Sequence, residues 1–106
     1  MERQVQILKL TFRPEKRAVF VDWVRSLAGR KAEVIAAVDG EKIRVETLFE
    51  DGAGAVYMYQ IADDLAFATA ALQASTAKVD EEARAMFAEC VADVALLPPL
   101  FHIDRL

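Results

Sequence analysis

The segment AVYMYQI (residues 55–61) constrains the fold of this chain more than any other stretch. Its β-branched and aromatic residues, without Gly or Pro, predict a β-strand. Alternate side chains of a strand point to opposite faces, so Tyr57 and Tyr59 share one face while Val56 and Met58 share the other. Since neither face is polar, each face of the sheet that contains this strand needs a covering layer.

Hydrophobic spacing along the rest of the chain predicts three more strands and two helices. The predicted order is strand (5–12), helix (14–38), strand (43–49), strand (55–61), a helix interrupted at 74–78 whose stripe continues to residue 94, and strand (100–106). Gly29 is the predicted weak point of the first helix, which would otherwise be about 37 Å long, and Gly40 is its predicted C-cap. Asp63 or Asp64 is expected to N-cap the second helix and Asp80 the segment after the interruption.

The order β-α-β-β-α-β is the ferredoxin-like pattern, an α+β fold whose antiparallel sheet carries both helices on one face. The 106 residues suit one domain, 1–106. An apolar sheet face without helices marks an interface or a ligand groove. We therefore predict a homodimer that packs sheet to sheet about a two-fold axis, a dimeric α/β barrel. Alternation alone leaves open which face meets the partner.

Composition excludes several classes of partner. The net charge is -4 and no Lys/Arg cluster exceeds a pair, so we expect no nucleic-acid binding. No apolar run approaches ~20 residues, and the start MERQVQILKL lacks the features of a signal peptide, so we expect neither a membrane span nor export. Cys90 is the only cysteine, which fits a reducing cytoplasm. A single histidine, and no phosphate loop or metal-ligand spacing, predict neither metal nor cofactor.

The strands supply four candidate ligand-binding residues. Tyr57 and Tyr59 offer stacking surface and O–H donors to a flat ligand; the alternative is ordinary cross-strand packing. Lys9 lies between two leucines in the first strand and needs an acidic partner if it is partly buried, for which Glu46 is the natural candidate. That pair would serve either as a polar anchor in a cavity or as an ion pair in a dimer interface.

The first helix and the end of the chain supply the other candidates. Trp23, Arg30 and Glu33 follow one another at spacings of seven and three, on one helix face. Arg30 could grip an anionic ligand beside Trp23; the alternative is a surface ion pair between Arg30 and Glu33. His102 shares a predicted strand face with Asp104, which could orient its ring for acid–base chemistry. The alternative is a half-exposed histidine without a role.

Short motifs spread along nearly the whole chain carry a family resemblance. They are LKL (8–10), Trp23, Arg30 with Glu33, VET (45–47), YMY (57–59) and AEC (88–90). Together they resemble a bacterial family of unknown function within the dimeric α/β-barrel superfamily, which includes cofactor-free antibiotic-biosynthesis monooxygenases, rhamnose mutarotases and haem-degrading enzymes. Relatives often carry a histidine early in the late helix, where this chain has Ala83, so the resemblance transfers no His-centred chemistry to it.

Three functions follow from these observations. The first is a cytoplasmic homodimer that binds a small molecule in a cavity between sheet and helices. The second is a cofactor-independent enzyme of the monooxygenase or mutarotase kind, which rests on fold analogy. The third is a structural or interaction module without a ligand.

Overall fold

The computed structural model describes residues 2–105, which form one four-stranded antiparallel sheet in the order β2-β3-β1-β4. The elements are β1 (Gln4–Phe12), α1 (Arg17–Ser26), a 3₁₀ helix (Leu27–Arg30), α2 (Lys31–Gly40), β2 (Ile43–Glu50), β3 (Val56–Ala62), α3 (Leu65–Ala74), α4 (Lys78–Cys90) and β4 (Val91–Leu97). This order confirms the predicted ferredoxin-like α+β fold. Within residues 2–105, no helix has both the length and the apolar character that crossing a bilayer requires.

The register of the sheet settles which face of β3 lies under the helices. Leu8 pairs with Met58 and Leu10 with Val56, so these four side chains share a face. Leu10 and Val56 are buried in the core against Phe20 of α1 and residues of α4. The helices therefore cover the Val56/Met58 side.

The other side of the sheet carries no helix, and we call it the uncovered face. It includes Val5, Ile7, Lys9, Thr11, Val45, Thr47, Phe49, Tyr57, Tyr59, Ile61, Asp93, Ala95 and Leu97, of which Ile61 is buried with 6% of its surface exposed. Phe49 keeps 57% and Leu97 43% of its surface exposed. The two tyrosines are half-buried there, beside Lys9.

The first helix breaks at the predicted weak point. Gly29 lies in the 3₁₀ turn that separates α1 from α2, because a residue without a Cβ stabilises a continuous helix least. The helix begins at Arg17 rather than at Pro14, and Glu15 before it is left-handed with φ 66°. Gly40 is the last residue of α2 and not its left-handed cap; Lys42, with φ 57°, takes the left-handed conformation instead.

The second helix is also divided, as predicted. Asp64 caps α3, since its side chain accepts a hydrogen bond from the Phe67 amide at 3.1 Å. Residues 75–77 separate α3 from α4. The prediction that Asp80 caps α4 is wrong. The cap position is Ala77, and Asp80 lies in the first turn of the helix.

The predicted last strand at 100–106 is wrong. Residues 91–97, taken as a continuation of the helical stripe, instead form β4 and pair with β1, where Val94 lies opposite Leu10. Short apolar runs fit either periodicity, and the sheet edge offered by β1 decides the outcome. Pro98 and Pro99 then end the strand, and residues 98–105, here called the tail, are irregular. Residue 106 lies outside the described part of the chain.

Candidate functional site

A cavity of about 130 Å³ lies between α1 and the sheet. Its lining consists of Phe20, Val21, Val24 and Arg25 from α1, Leu48, Phe49 and Glu50 from β2, and Val56 from β3. Most of the apolar members line it because α1 turns its Phe20/Val24 stripe toward the sheet, where the even-numbered positions of β2 and β3 point to meet it. Phe49, an odd-numbered position of the edge strand β2, belongs to the uncovered face and also borders the cavity. The cavity is therefore a largely apolar pocket, partly open to solvent, with charged groups at one end.

Two arginines meet one carboxylate at that end. Arg17 contacts one oxygen of Glu50, and Arg25 donates from Nη2 to the other at 2.9 Å. The Nε of Arg17 is buried and has no hydrogen-bond partner. Arg25 and Glu50 line the cavity, whereas Arg17 reaches Glu50 from outside the lining. Two guanidinium groups around one carboxylate leave an excess positive charge, which suits a second anionic group beside Arg25.

Lys9, Tyr57 and Tyr59 lie together, but on the uncovered face, away from this cavity. The Nζ of Lys9 is 6.0 Å from the centre of the Tyr57 ring. The Tyr57 hydroxyl donates to Oδ2 of Asp51 at 3.4 Å. These residues can meet a ligand only in a layer that covers this face, and their predicted ligand-binding role stays a prediction.

The predicted Lys9–Glu46 pair is wrong. Glu46 lies opposite Gln60 on the helix-facing side, whereas Lys9 points to the uncovered face. A polar row replaces the pair: Gln6 donates to Gln60 at 2.8 Å, and Gln60 donates to Oε1 of Glu46 at 2.8 Å. The surrounding protein raises the pKa of Glu46 by desolvation, although part of its side chain is exposed at the β2 edge and the bond from Gln60 opposes the shift.

Two further carboxylates, Glu41 and Asp80, are buried near this row, which the sequence does not predict. Glu41 and Asp80 each expose only 6% of their surface. Oε2 of Glu41 is buried without a hydrogen-bond partner. Desolvation, followed by repulsion from Asp80 and Glu46, raises the pKa of Glu41 to about 7. Their surroundings in the sequence, VDGEK and KVDEE, are typical of solvated helix ends, so no local signal predicts this burial.

Trp23 and Arg30 converge on Glu82 of α4, a residue that the sequence analysis missed. The Trp23 indole donates to Oε1 of Glu82 at 3.0 Å, and Arg30 donates to both Glu82 oxygens at 2.6 and 3.1 Å. Arg30 also holds Glu33 at 2.7 Å, which confirms the predicted ion pair. The bond from Arg30, then that from Trp23, lowers the pKa of Glu82 to about 2. With two carboxylates bound, Arg30 ties the helices together in this structure.

His102 lies in the irregular tail, apart from the cavity. Its Nε2 is buried without a hydrogen-bond partner. Asp104, predicted to share a strand face with it, forms an ion pair with Arg3 at 3.1 Å, which fixes the tail beside β1. The tail also carries Leu100, Phe101 and Ile103, whose side chains are largely in solvent.

Several solved structures share the fold of this chain. A Bacteroides thetaiotaomicron protein assigned provisionally to the antibiotic biosynthesis monooxygenases superposes with a TM-score of 0.67 at 15% identity, over 99% of this chain and 94% of its own. Rv0793 of Mycobacterium tuberculosis superposes with a TM-score of 0.60 at 18% identity, over 97% of this chain and 100% of its own. PA3566 of Pseudomonas aeruginosa superposes with a TM-score of 0.62 at 15% identity, over 95% of this chain and 97% of its own. At these identities the likeness concerns the fold.

Sequence comparison gives the family. No curated protein matches the chain. One family model covers residues 3–104, which is nearly the whole sequence. The chain therefore belongs to the family of unknown function DUF6176.

Proposed function

We propose that this protein is a homodimer that binds a small, largely apolar acid in the cavity between α1 and the sheet. The cavity is the observation that carries the proposal, because a concave, largely apolar pocket with a few charged groups is the usual form of a small-molecule site. Arg25 and Glu50 supply the charged groups. These features support a binding protein over a structural module without a ligand.

The size of the cavity limits the ligand. An apolar cavity of roughly 150 Å³ accommodates benzene, so a chamber of this size accepts a single small ring or a short branched chain. The walls of Phe20, Val24 and Leu48 favour such an apolar body. Arg25 at the charged end, with Arg17 behind Glu50, favours a carboxylate or phenolate on it.

The uncovered face and the tail support the homodimer. Leu100, Phe101 and Ile103 have exposures of 106, 80 and 64%. Burying each of these side chains would contribute about 1.5–3 kcal/mol. Phe49 and Leu97 on the uncovered face are exposed as well, and a second copy related by a two-fold axis would offer a matching apolar face.

We place the protein in the cytoplasm. Cys90, the single cysteine, is a buried free thiol, and burial raises its pKa. A thiol of this kind is a core residue in a reducing compartment rather than a disulfide partner.

A cofactor-independent enzyme of the monooxygenase or mutarotase kind is the alternative. Fold similarity to provisionally assigned monooxygenases supports it by analogy only. The residues that line the cavity include no histidine or tyrosine, which were the acid–base groups predicted for such chemistry. Oxygen uptake or anomer exchange by the purified protein with its ligand would favour the enzyme.

A thermal-shift screen tests the binding proposal. Small aromatic and branched aliphatic acids, each with its uncharged alcohol, are compared on the wild type, Val24→Phe and Val19→Phe. Val24 lines the cavity, whereas Val19 lies on the same helix with 38% of its surface exposed, outside the lining. We expect some acids to raise the Tm of the wild type and of Val19→Phe, with no rise for Val24→Phe.

Arg25→Gln provides a second variant, which leaves the cavity volume in place should Val24→Phe overpack the core. Arg25→Gln should reduce the Tm increase produced by acids more than that produced by their alcohols. Acids that stabilise Val24→Phe as strongly as the wild type would place binding elsewhere and refute the proposal.

A further inference from the structure

The uncovered face carries two opposite charges and is otherwise neutral. Of the described strand positions that form this face, only Lys9 on β1 and Asp93 on β4 are charged at neutral pH. The chain as a whole has a net charge of -4, so two copies repel each other at long range. Because the charges of Lys9 and Asp93 cancel, the uncovered face opposes the approach of a second copy less than the rest of the surface does.

Neither charge has an ionic partner within its own chain. Among residues 2–105, no ion pair includes Lys9 or Asp93. The ammonium group of Lys9 lies 6.0 Å from the centre of the Tyr57 ring, at the outer limit of a cation–π contact. Lys9 is half-buried already in the single chain, whereas Asp93 is exposed on the edge strand. Both groups can therefore accept a partner from another molecule.

The carboxylate of Asp51, in the turn between β2 and β3, is occupied by its own chain. Its Oδ1 accepts hydrogen bonds from the amides of Ala53 and Ala55 at 2.7 and 3.2 Å, and its Oδ2 accepts one from the Tyr57 hydroxyl at 3.4 Å. Asp51 therefore holds the turn and the Tyr57 ring. Asp93 remains as the carboxylate of this face that can meet a lysine.

A second sheet packed on this face would enclose Lys9 in a largely apolar layer. Two packed sheets lie about 10 Å apart, with their side chains filling the space between them. Tyr57 and Ala95 lie directly opposite Lys9 on the neighbouring strands, and neither offers a carboxylate. An ammonium group taken out of water in such a layer needs an anionic partner. The identical face of the partner offers Asp93.

The positions of Lys9 and Asp93 suit a two-fold axis. Both lie on the half of the face that β1 and β4 form, since Ala95 is opposite Lys9 and Asp93 is opposite Thr11. An axis that passes between them turns Lys9 of each copy toward the partner's Asp93, so one pair implies the second. An alignment that sets Lys9 against its own counterpart brings two cations together and is disfavoured.

We propose that two symmetric ion pairs hold the homodimer in register, each between Lys9 of one protomer and the partner's Asp93. This inference rests on the homodimer of the proposed function and names the contact that aligns its two sheets. Exposed side chains such as Phe49 and Leu97 provide apolar area for association but allow many alignments. The charge pairs select one of them.

Charge reversal followed by mixing tests this pairing. Lys9→Glu and Asp93→Lys each set like charges against each other twice in the dimer, and each should raise its dissociation constant about a hundredfold or more. An equimolar mixture of the two variants should form a mixed dimer, in which both pairs again have opposite charges. A pair within one chain cannot give this recovery, because each variant chain keeps two like charges. Sedimentation measures the dissociation constants, and native mass spectrometry with a short tag on one variant identifies the mixed dimer.

Lys31→Glu, on exposed α2, is the matched control and should dimerise like the wild type. Should Lys9→Glu not fold, Asp93→Lys carries the test, because Asp93 is exposed in the single chain. Charge reversals that leave the dissociation constant unchanged, or a mixture that stays monomeric, would overturn the ion pairs while the homodimer stands. A monomeric wild type would overturn the homodimer itself and the pairs with it.

Discussion

Replacing Glu41 by Gln should make the protein more stable above neutral pH. The carboxyl of Glu41 is buried, and desolvation together with Asp80 and Glu46 raises its pKa from 4.5 to about 7. Glutamine has nearly the same shape without the ionisable group. The variant therefore removes the cost of ionising a buried acid and keeps the packing.

The magnitude follows from linkage between protonation and folding. The folded state holds the proton of Glu41 more tightly than the unfolded chain. Its contribution to the free energy of unfolding is therefore fully present below pH 4.5 and is lost as pH rises to about 7. At 1.36 kcal/mol per pKa unit, this loss is about 3 kcal/mol for the wild type. Glu41→Gln should not show this loss. The free energies of unfolding of the two proteins should therefore diverge between pH 4.5 and 7 and remain different above pH 7.

Urea unfolding followed by the fluorescence of Trp23, the only tryptophan, measures this difference across the pH range. Glu81→Gln removes an exposed carboxylate from α4 and serves as the control, with a stability difference from the wild type that changes little with pH. A stability difference between Glu41→Gln and the wild type that does not grow between pH 4.5 and 7 would refute the assignment of a buried, proton-holding Glu41.

Other parts of the structure give further predictions. Phe20→Ala should lower the free energy of unfolding by about 3–5 kcal/mol, measured by urea titration, because Phe20 is fully buried among aromatic rings. The emission of Trp23 should change as pH falls through about 2, because Glu82 of the folded protein then gains a proton and its bond to the indole weakens; Glu82→Gln should remove this transition. Replacing Leu100 and Phe101 by Ser should shift the monomer–dimer equilibrium toward the monomer in sedimentation, because both side chains are exposed in the single chain.

Local patterns predicted the parts of the fold that depend on local physics. The break at Gly29 follows from the low helix stability of glycine, and the cap at Asp64 follows from a side chain that accepts a bond from a free helix amide. The order of strands and helices follows from hydrophobic periodicity. The predicted order is correct although the last strand is misplaced, because residues 91–97 and 100–106 both come after α4.

The candidate site was predicted less well, because its contacts join distant segments. Arg30 and Glu82 are 52 residues apart in sequence, and no spacing rule connects them. The sequence predicts a pair between Lys9 and Glu46, but the register of β1 and β2 against β3 places them on opposite faces of the sheet. The burial of Glu41 depends on how α2, α4 and β2 pack together, which only the tertiary structure shows.

The mass of the protein in solution tests the pairing of the uncovered faces most directly. Light scattering at micromolar concentration should give twice the chain mass of 11.8 kDa for the wild type. Tyr59→Glu places a charge on the uncovered face and should give the mass of one chain, whereas Ile35→Glu, on exposed α2, should remain a dimer. A wild-type mass of one chain under these conditions would contradict the homodimer, and a dimer unaffected by Tyr59→Glu would place its interface elsewhere.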